Sequence, residues 1–240
     1  MKNLIVANWK MNPQTYLEAE DLVRNILSGV KELNNTEVVI CPPFTWLTDF
    51  SHKNESLVSF GAQNVFYEEK GAYTGEISSQ MLKSAKVDYV IVGHSERRKY
   101  FGETDEIVNK KIKKALEVGL KVIFCIGETA EENINAKKNE VLEKQIKKGL
   151  NGISNLENVN IAYEPVWAIG TGNNCSVGEA KISIGFIKKI VEEKTRILYG
   201  GSVKIENSGA YIKEAGANGL LVGGASLNAE EFIKIVKSAE

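Results

Sequence analysis

The segment NIAYEPVWAIGTG, residues 160–172, joins an apolar run to a carboxylate and then to a glycine-rich loop. We expect residues 160–163 to form a β-strand that stops at Pro165, because proline has no N–H for a sheet. The residue before a proline is driven out of the helical region, so Glu164 should be extended at the strand's carboxyl end. Residues 166–172 have the composition of a lid. A base that works under a closable loop fits this pattern, as does an ordinary strand-to-helix connection with a solvated glutamate.

Apolar runs of this kind recur along the chain, and polar, helix-favouring segments separate them. The predicted strands are 4–7, 38–41, 57–61, 89–93, 122–126, 160–163, 196–199 and 219–222. The clearest predicted helices are 16–30, 106–118, 140–150, 186–193 and 229–238. Continuously apolar strands are typical of a parallel sheet covered by helices. Eight alternations therefore predict an α/β fold, a closed (β/α)₈ barrel formed as one domain by residues 1–240.

An open doubly wound sheet is the alternative architecture. It is less favoured because no Gly-x-Gly-x-x-Gly follows an early strand.

Composition excludes several classes of protein. The net charge is −1, which provides no electrostatic field for binding nucleic acid or an anionic membrane. No segment has the length and hydrophobicity of a membrane span, and the first residues lack a signal sequence. The three cysteines are far apart, which is typical of a reducing cytoplasm. With only two histidines, a histidine-rich metal site is excluded.

Polar residues and glycines follow most of the predicted strands. In a (β/α)₈ barrel the carboxyl ends of the strands form the active site, so these residues should converge on one cavity. They are Asn8, Trp9 and Lys10 after the first strand, His94, Ser95 and Glu96 after the fourth, Gly127 and Glu128 after the fifth, Glu164 after the sixth, Gly200, Gly201 and Ser202 after the seventh, and Gly223 and Gly224 after the eighth.

Five motifs in this order resemble those of the triosephosphate isomerase family. They are NWK at 8–10, GHSERR at 93–98, AYEPVWAIGTG at 162–172, YGGSV at 199–203 and LVGGASL at 221–227. The resemblance extends from Leu4 to about Leu227. It implies a cytoplasmic enzyme of glycolysis and gluconeogenesis that interconverts dihydroxyacetone phosphate and D-glyceraldehyde 3-phosphate through an enediol, with no cofactor and no metal.

The resemblance also implies a catalytic role for five residues. Glu164 resembles the general base, and His94 resembles the electrophile that polarises the substrate carbonyl. Lys10 resembles the electrostatic anchor, Asn8 a hydrogen-bonding partner of substrate oxygens, and Glu96 a support for the lysine. The position of His94 near a helix N-terminus disfavours imidazolium, and a neutral histidine electrophile is the known pattern of this family.

Two further sets of residues are implied. The phosphate-binding set is Gly170, Ser202, Gly223 and Gly224, acting through backbone N–H groups. The lid set is Pro165, Val166, Trp167, Ala168, Ile169, Gly170, Thr171 and Gly172.

Other positions resemble supporting elements of the family. Ser95 resembles a residue whose hydroxyl meets Glu164 before substrate binds. Trp167 with Glu128, and Tyr199 with Ser202, resemble contacts that change as the lid moves. The loop Gly71-Ala72-Tyr73-Thr74-Gly75-Glu76 resembles one that inserts into a second subunit, which implies a homodimer. Arg97 and Arg98 are interpreted as structural ion-pairing residues, Cys125 as a packed core side chain, and His52 as a surface residue.

The chain departs from the family pattern away from the proposed chemistry. Asn173-Asn174-Cys175 replaces the usual second lid hinge, and Ile205 stands where proline is common. Lys188 and Asn218 stand where an arginine and an aspartate are common, which predicts a weaker interaction than a bidentate ion pair. The stretch 189–196 is short, which implies a trimmed seventh helix.

Two other functions remain as alternatives. A Schiff-base aldolase on the same barrel needs a lysine deep in a strand, whereas Lys10 follows its strand. A barrel used only for binding is expected to have lost at least one of Lys10, His94 and Glu164.

Overall fold

A computed structural model describes residues 1–31, 33–52, 58–169 and 175–240. Within these residues eight parallel strands pair in chain order, and the last pairs with the first to close a barrel. The strands are β1 Asn3–Asn8, β2 Thr36–Cys41, β3 Val58–Ala62, β4 Tyr89–Val92, β5 Lys121–Ile126, β6 Val159–Tyr163, β7 Ile197–Tyr199 and β8 Gly219–Val222. The predicted (β/α)₈ barrel is confirmed, and the open doubly wound sheet is wrong.

Helices connect the strands around the outside of the barrel. They are α1 Tyr16–Gly29, α2 Phe44–Ser51, α3 Ser79–Ser84, α4 Ser95–Phe101, α5 Asp105–Glu117, α6 Ala130–Ile134, α7 Lys138–Gly149, α8 Val177–Lys188, α9 Ile205–Lys213 and α10 Ala229–Ser238. Two short 3₁₀ helices, Val166–Ala168 and Gly224–Leu227, follow β6 and β8. Within the described residues, no helix has the length and apolar content needed to cross a bilayer.

The strands are apolar on both faces because each face is covered. Leu4 and Val6 belong to a cluster that fills the barrel, whereas Ile5 and Ala7 pack in the larger layer between sheet and helices. All four side chains are fully buried. Successive side chains along a strand point to opposite faces of the sheet. One apolar run therefore contributes to two cores, as expected for a parallel sheet.

The predicted helix 186–193 is wrong. The structure has α8 at Val177–Lys188, followed by turns that lead to β7. Ser176 begins this helix with a capping box, in which its hydroxyl accepts from the Glu179 N–H and its own N–H donates to the Glu179 carboxylate. The helix is 12 residues long, so residues 189–196 form a connection rather than a trimmed helix.

Candidate active site

Most of the predicted site residues line one cavity of about 510 Å³ at the carboxyl ends of the strands, whereas Glu96 does not line it and reaches the site through Lys10. Asn8 ends β1, His94 follows β4 after one glycine, and Glu164 follows β6 directly. The walls are completed by Lys10 and by residues after β7 and β8, including Ser202 and Gly223. The closed barrel thus brings together side chains that lie far apart in sequence.

Glu164 lies at the base of the cavity and is only 1% exposed. Its backbone N–H donates to the Ile126 carbonyl at 2.7 Å, which continues the pairing of β6 with β5 to the last position before proline. One carboxylate oxygen, Oε2, accepts from the Ser95 N–H at 2.9 Å. The other, Oε1, lies 3.0 Å from Nε2 of His94. The Ser95 contact was predicted through the hydroxyl, and the structure forms it through the backbone instead.

His94 is the N-cap of α4 and is 6% exposed. Its Nδ1 accepts from the Glu96 N–H at 3.2 Å, which leaves Nε2 as the nitrogen that carries the proton of a neutral ring. Burial lowers the pKa of His94, but the carboxylates of Glu164 and Glu96 outweigh it and the pKa is raised above its ordinary value. The predicted direction is therefore wrong: imidazolium was expected to be disfavoured at the helix N-terminus, and the neighbouring carboxylates favour it instead.

Three polar contacts hold Lys10, two on its backbone and one on its side chain. Its backbone has φ 54°, and its N–H donates to Oδ1 of Asn8 at 3.1 Å. The Gln63 side chain donates to its carbonyl at 2.8 Å. Its Nζ lies 2.5 Å from Oε1 of Glu96, and a Cβ on Gly223 would lie 3.3 Å from its Cε. The ammonium is consequently fixed beside the cavity.

The phosphate-side residues lie after β7 and β8. Ser202 and Gly223 line the cavity together with Gly224, where a 3₁₀ turn begins. A Cβ on Gly224 would meet no atom within 4 Å, so its backbone is open to the cavity. Gly201 has no such space, since a Cβ there would lie 2.3 Å from the Tyr199 hydroxyl. Gly170, the fourth predicted phosphate residue, lies outside the described residues.

The described part of the predicted lid is hydrogen-bonded to the barrel through Val166, whose N–H donates to the Glu128 carbonyl at 3.1 Å, and through Trp167 and Ala168. Trp167 Nε1 donates to Oε1 of Glu128 at 2.8 Å, and the Ser202 hydroxyl donates to the Ala168 carbonyl at 2.5 Å. Glu128 is fully buried, and this burial raises the pKa of its carboxyl group. Thr171, Gly172, Asn173 and Asn174 lie outside the described residues.

The supporting residues lie around this cavity. Arg97 pairs with Glu103, and Arg98 pairs with Asp105 at 2.7 Å, as predicted for structural ion-pairing residues. Cys125 is fully buried inside the barrel. Burial raises the pKa of its thiol well above the ordinary value, which disfavours a nucleophilic thiolate.

Lys188 and Asn218 do not pair with each other directly. Lys188 Nζ donates to the Gly216 carbonyl at 2.6 Å, and Asn218 Oδ1 accepts from the Ile197 N–H at 3.1 Å. Two neutral backbone partners thus stand in place of a bidentate ion pair.

Two supporting glutamines were not predicted. Gln63 directly follows β3, and searching the end of every strand for polar residues would have found it. Gln145 lies within α7 and bonds to the backbone of Gly127. A glutamine in a helix of this composition is ordinarily a surface residue, so no local signal distinguishes it. Among the described residues, no three His, Cys, Asp or Glu side chains are grouped as ligands for a metal ion.

The family model described as triosephosphate isomerase matches residues 3–239. The chain belongs to the triosephosphate isomerase family. Curated members of the family from Alkaliphilus oremlandii, Dictyoglomus thermophilum and Aquifex aeolicus are similar over nearly their whole length. The first is 49% identical with 98% of each chain covered, the second 47% with 99% of each, and the third 47% with 99% of this chain and 100% of the relative. The chain is accordingly an isomerase that acts on triose phosphates.

Proposed function

We propose that this isomerase interconverts dihydroxyacetone phosphate and D-glyceraldehyde 3-phosphate with Glu164 as the general base. The observation that carries the proposal is the buried Glu164 carboxylate, which lies 3.0 Å from the His94 imidazole in a cavity that Lys10 also lines. The carboxylate removes a proton from one carbon of the substrate and returns it to the neighbouring carbon. The intermediate between these steps is an enediol or enediolate.

One base is not sufficient for this reaction. A positioned base contributes roughly 10²–10⁴-fold to a rate, and stabilisation of the developing oxyanion usually contributes more. The Nε2–H of His94 is the donor for that oxygen, because Nδ1 is already occupied by the Glu96 N–H. When Glu164 takes up the substrate proton it loses the charge that raises the pKa of His94. Burial, which lowers the pKa of His94, then favours a neutral imidazole that donates to the oxyanion.

Lys10 supplies positive charge to the substrate phosphate and to the enediolate. Its ion pair with Glu96 holds the amine against the cavity wall. The aldolase alternative needs a lysine deep in a strand, whereas Lys10 lies two positions beyond the end of β1. Asn8, which fixes the backbone of Lys10, hydrogen-bonds substrate oxygens beside it.

The phosphate group binds to backbone N–H groups of Ser202, Gly223 and Gly224, with Gly170 from the lid. Support comes from their position after β7 and β8, the common phosphate site of this barrel, and from the open space at Gly224. The lid, Pro165 to Gly172, excludes water while the proton moves. The contacts of Trp167 and Ala168 with Glu128 and Ser202 would be remade as it closes.

We further propose a cytoplasmic homodimer. The loop 71–76 is exposed along its length, and Tyr73 is 44% exposed. Exposed apolar side chains also occur in the neighbouring connections, with Met11 at 83% and Phe44 at 37%. These follow the adjacent strands β1, β2 and β3 and so face one side of the barrel. The three cysteines are all free, as expected in a reducing compartment.

The base assignment is tested by Glu164→Asp. Withdrawing the carboxylate by one methylene leaves the phosphate site intact but misplaces the base, so kcat should fall by about 10²-fold or more while KM changes little. A coupled assay with glyceraldehyde 3-phosphate measures both constants. The matched control is Glu37→Asp at the opposite rim, which should leave kcat unchanged. A Glu164→Asp enzyme with wild-type kcat would show that another residue is the base.

A further inference from the structure

The backbone of Glu164 rests against Gly127. A Cβ added to Gly127 would lie 1.7 Å from the Glu164 carbonyl oxygen, so the two main chains are in direct contact. On either side of this contact, the Glu164 N–H donates to the Ile126 carbonyl at 2.7 Å and the Val166 N–H to the Glu128 carbonyl at 3.1 Å. The position of the Glu164 backbone is therefore determined by residues 126–128.

On the side that faces β4, the main chain of Gly127 is not paired with a strand. In a parallel sheet, successive residues direct their N–H and C=O groups to opposite neighbours. Ile126 and Glu128 face β6, so Cys125 and Gly127 face the β4 side. The pairing of β4 with β5 ends at Val92 and Phe124, before these residues. Buried main-chain groups require a partner, so a side chain has to supply one here.

Gln145, on α7, supplies that partner for Gly127. Its Oε1 accepts from the Gly127 N–H at 2.8 Å, and its Nε2 donates to the Gly127 carbonyl at 3.1 Å. The amide thus reproduces both bonds of a missing strand. Arg98 supplies a partner in the same way two residues earlier in the chain, where its guanidinium donates to the Cys125 carbonyl at 3.4 Å. Gln145 is the closer of the two to the Glu164 contact.

We propose that Gln145 is a positioning residue that sets the location of the Glu164 carboxylate through Gly127. The inference rests on the proposed role of Glu164 as base. Without the amide, both Gly127 groups lose their partners and residues 126–128 are free to shift, taking the Glu164 backbone with them. Ser202, Gly223 and Gly224 on the phosphate side follow β7 and β8 rather than β5. Proton transfer should therefore be impaired while phosphate binding is retained.

The test uses two substitutions in the full-length enzyme. Gln145→Met preserves the shape of the side chain and removes both bonds, and Gln145→Glu retains the acceptor for the Gly127 N–H but loses the donor. We expect kcat to fall by about 10-fold to 100-fold in Gln145→Met and by less in Gln145→Glu. KM and the inhibition constant of inorganic phosphate should match wild type in both. Unchanged kcat in both variants, or KM and kcat changing together, would overturn the inference.

The matched control is Asn109→Leu. Asn109 on α5 also bonds a side-chain amide to main chain, donating to the Gly149 and Asn151 carbonyls at 2.8 and 3.0 Å, but it does not contact the cavity. Its removal should lower thermal stability without lowering kcat. If it lowers kcat as far as Gln145→Met does, the effect of Gln145 is a general loss of packing and the inference fails.

Combining Gln145→Met with Glu164→Ala distinguishes failure of this inference from failure of the proposed base assignment. In Glu164→Ala enzyme, adding Gln145→Met should cause no further loss of kcat, because there is no carboxylate left to position. A further loss equal to that in wild type would show that Gln145 does not act through Glu164. If Glu164→Ala alone retains wild-type kcat, the base assignment fails, whatever the result at position 145.

Discussion

The ammonium and the backbone of Lys10 are both held at the wall of the cavity that Glu164 also lines. Its Nζ is paired with Glu96, and Asn8 and Gln63 bond to its main chain. The side chain is therefore arranged before substrate arrives, which reduces the ordering cost of binding a phosphate-bearing anion.

Replacing this charge should weaken anion binding. In Lys10→Met, affinity for a phosphate-bearing enediolate mimic should fall by about 10-fold or more, because a charge-assisted contact with the anion is lost at a partly exposed site. Isothermal titration calorimetry measures this, with Lys213→Met on the outer surface of α9 as control. Affinity equal to wild type would refute the anchoring role.

For individual residues, the sequence predicts which ones belong to the site when they directly follow a strand. Asn8, His94 and Glu164 could be placed in one cavity because the barrel brings all carboxyl ends to one rim. The pKa of His94 could not be inferred, because it depends on the Glu164 carboxylate 70 positions away in the chain. The role of Gln145 was not predicted for the same reason: its partner Gly127 is distant in sequence, and the two meet only because α7 packs on β5.

At the scale of elements, α8 shows where pattern reasoning failed. The helix was predicted from the apolar residues around Phe186 and Ile187. Its start is instead marked by Ser176 and Glu179, which form an S-x-x-E capping box. Buried residues of α8 such as Ala180 and Ser183 are small or polar, so the apolar period is weak in the first turns. The strands were predicted within a residue or two because each is a short apolar run bounded by polar residues.

The capping box gives an element-scale prediction. Ser176→Ala removes the acceptor for the Glu179 N–H and should lower the free energy of unfolding by about 1 kcal/mol. Urea denaturation followed by circular dichroism provides the measurement. Ser176→Asn supplies an equally good cap and should retain wild-type stability. Equal losses in the two variants would mean that the cap does not determine the start of α8.

At the scale of the whole molecule, the pattern of the sequence predicts the closed barrel but not the proposed dimer. The closed barrel was predictable because eight alternations of strand and helix leave few other architectures for 240 residues. Assembly was not predictable from the same pattern, because exposed apolar residues in loops leave no periodic signal. The resemblance alone pointed to the loop 71–76.

The dimer is tested by Thr74→Arg at the exposed tip of that loop. Wild type should sediment at twice the chain mass of 26.5 kDa, and the variant should shift toward 26.5 kDa with loss of turnover. Sedimentation equilibrium and activity at matched concentrations measure both. Ile182→Arg on α8 is the control, since that exposed apolar residue lies on another side of the barrel. A monomeric wild type with full turnover would contradict the proposal.

Closure of β8 onto β1 has a consequence for aggregation. Every strand of the described barrel has a neighbour on both sides, so this sheet presents no free edge on which another polypeptide can add as a further strand. Self-association through main-chain hydrogen bonds therefore requires the ring to open first. Insoluble material formed on heating should consequently accumulate at a rate set by ring opening, and a ligand that stabilises the native state should slow its formation.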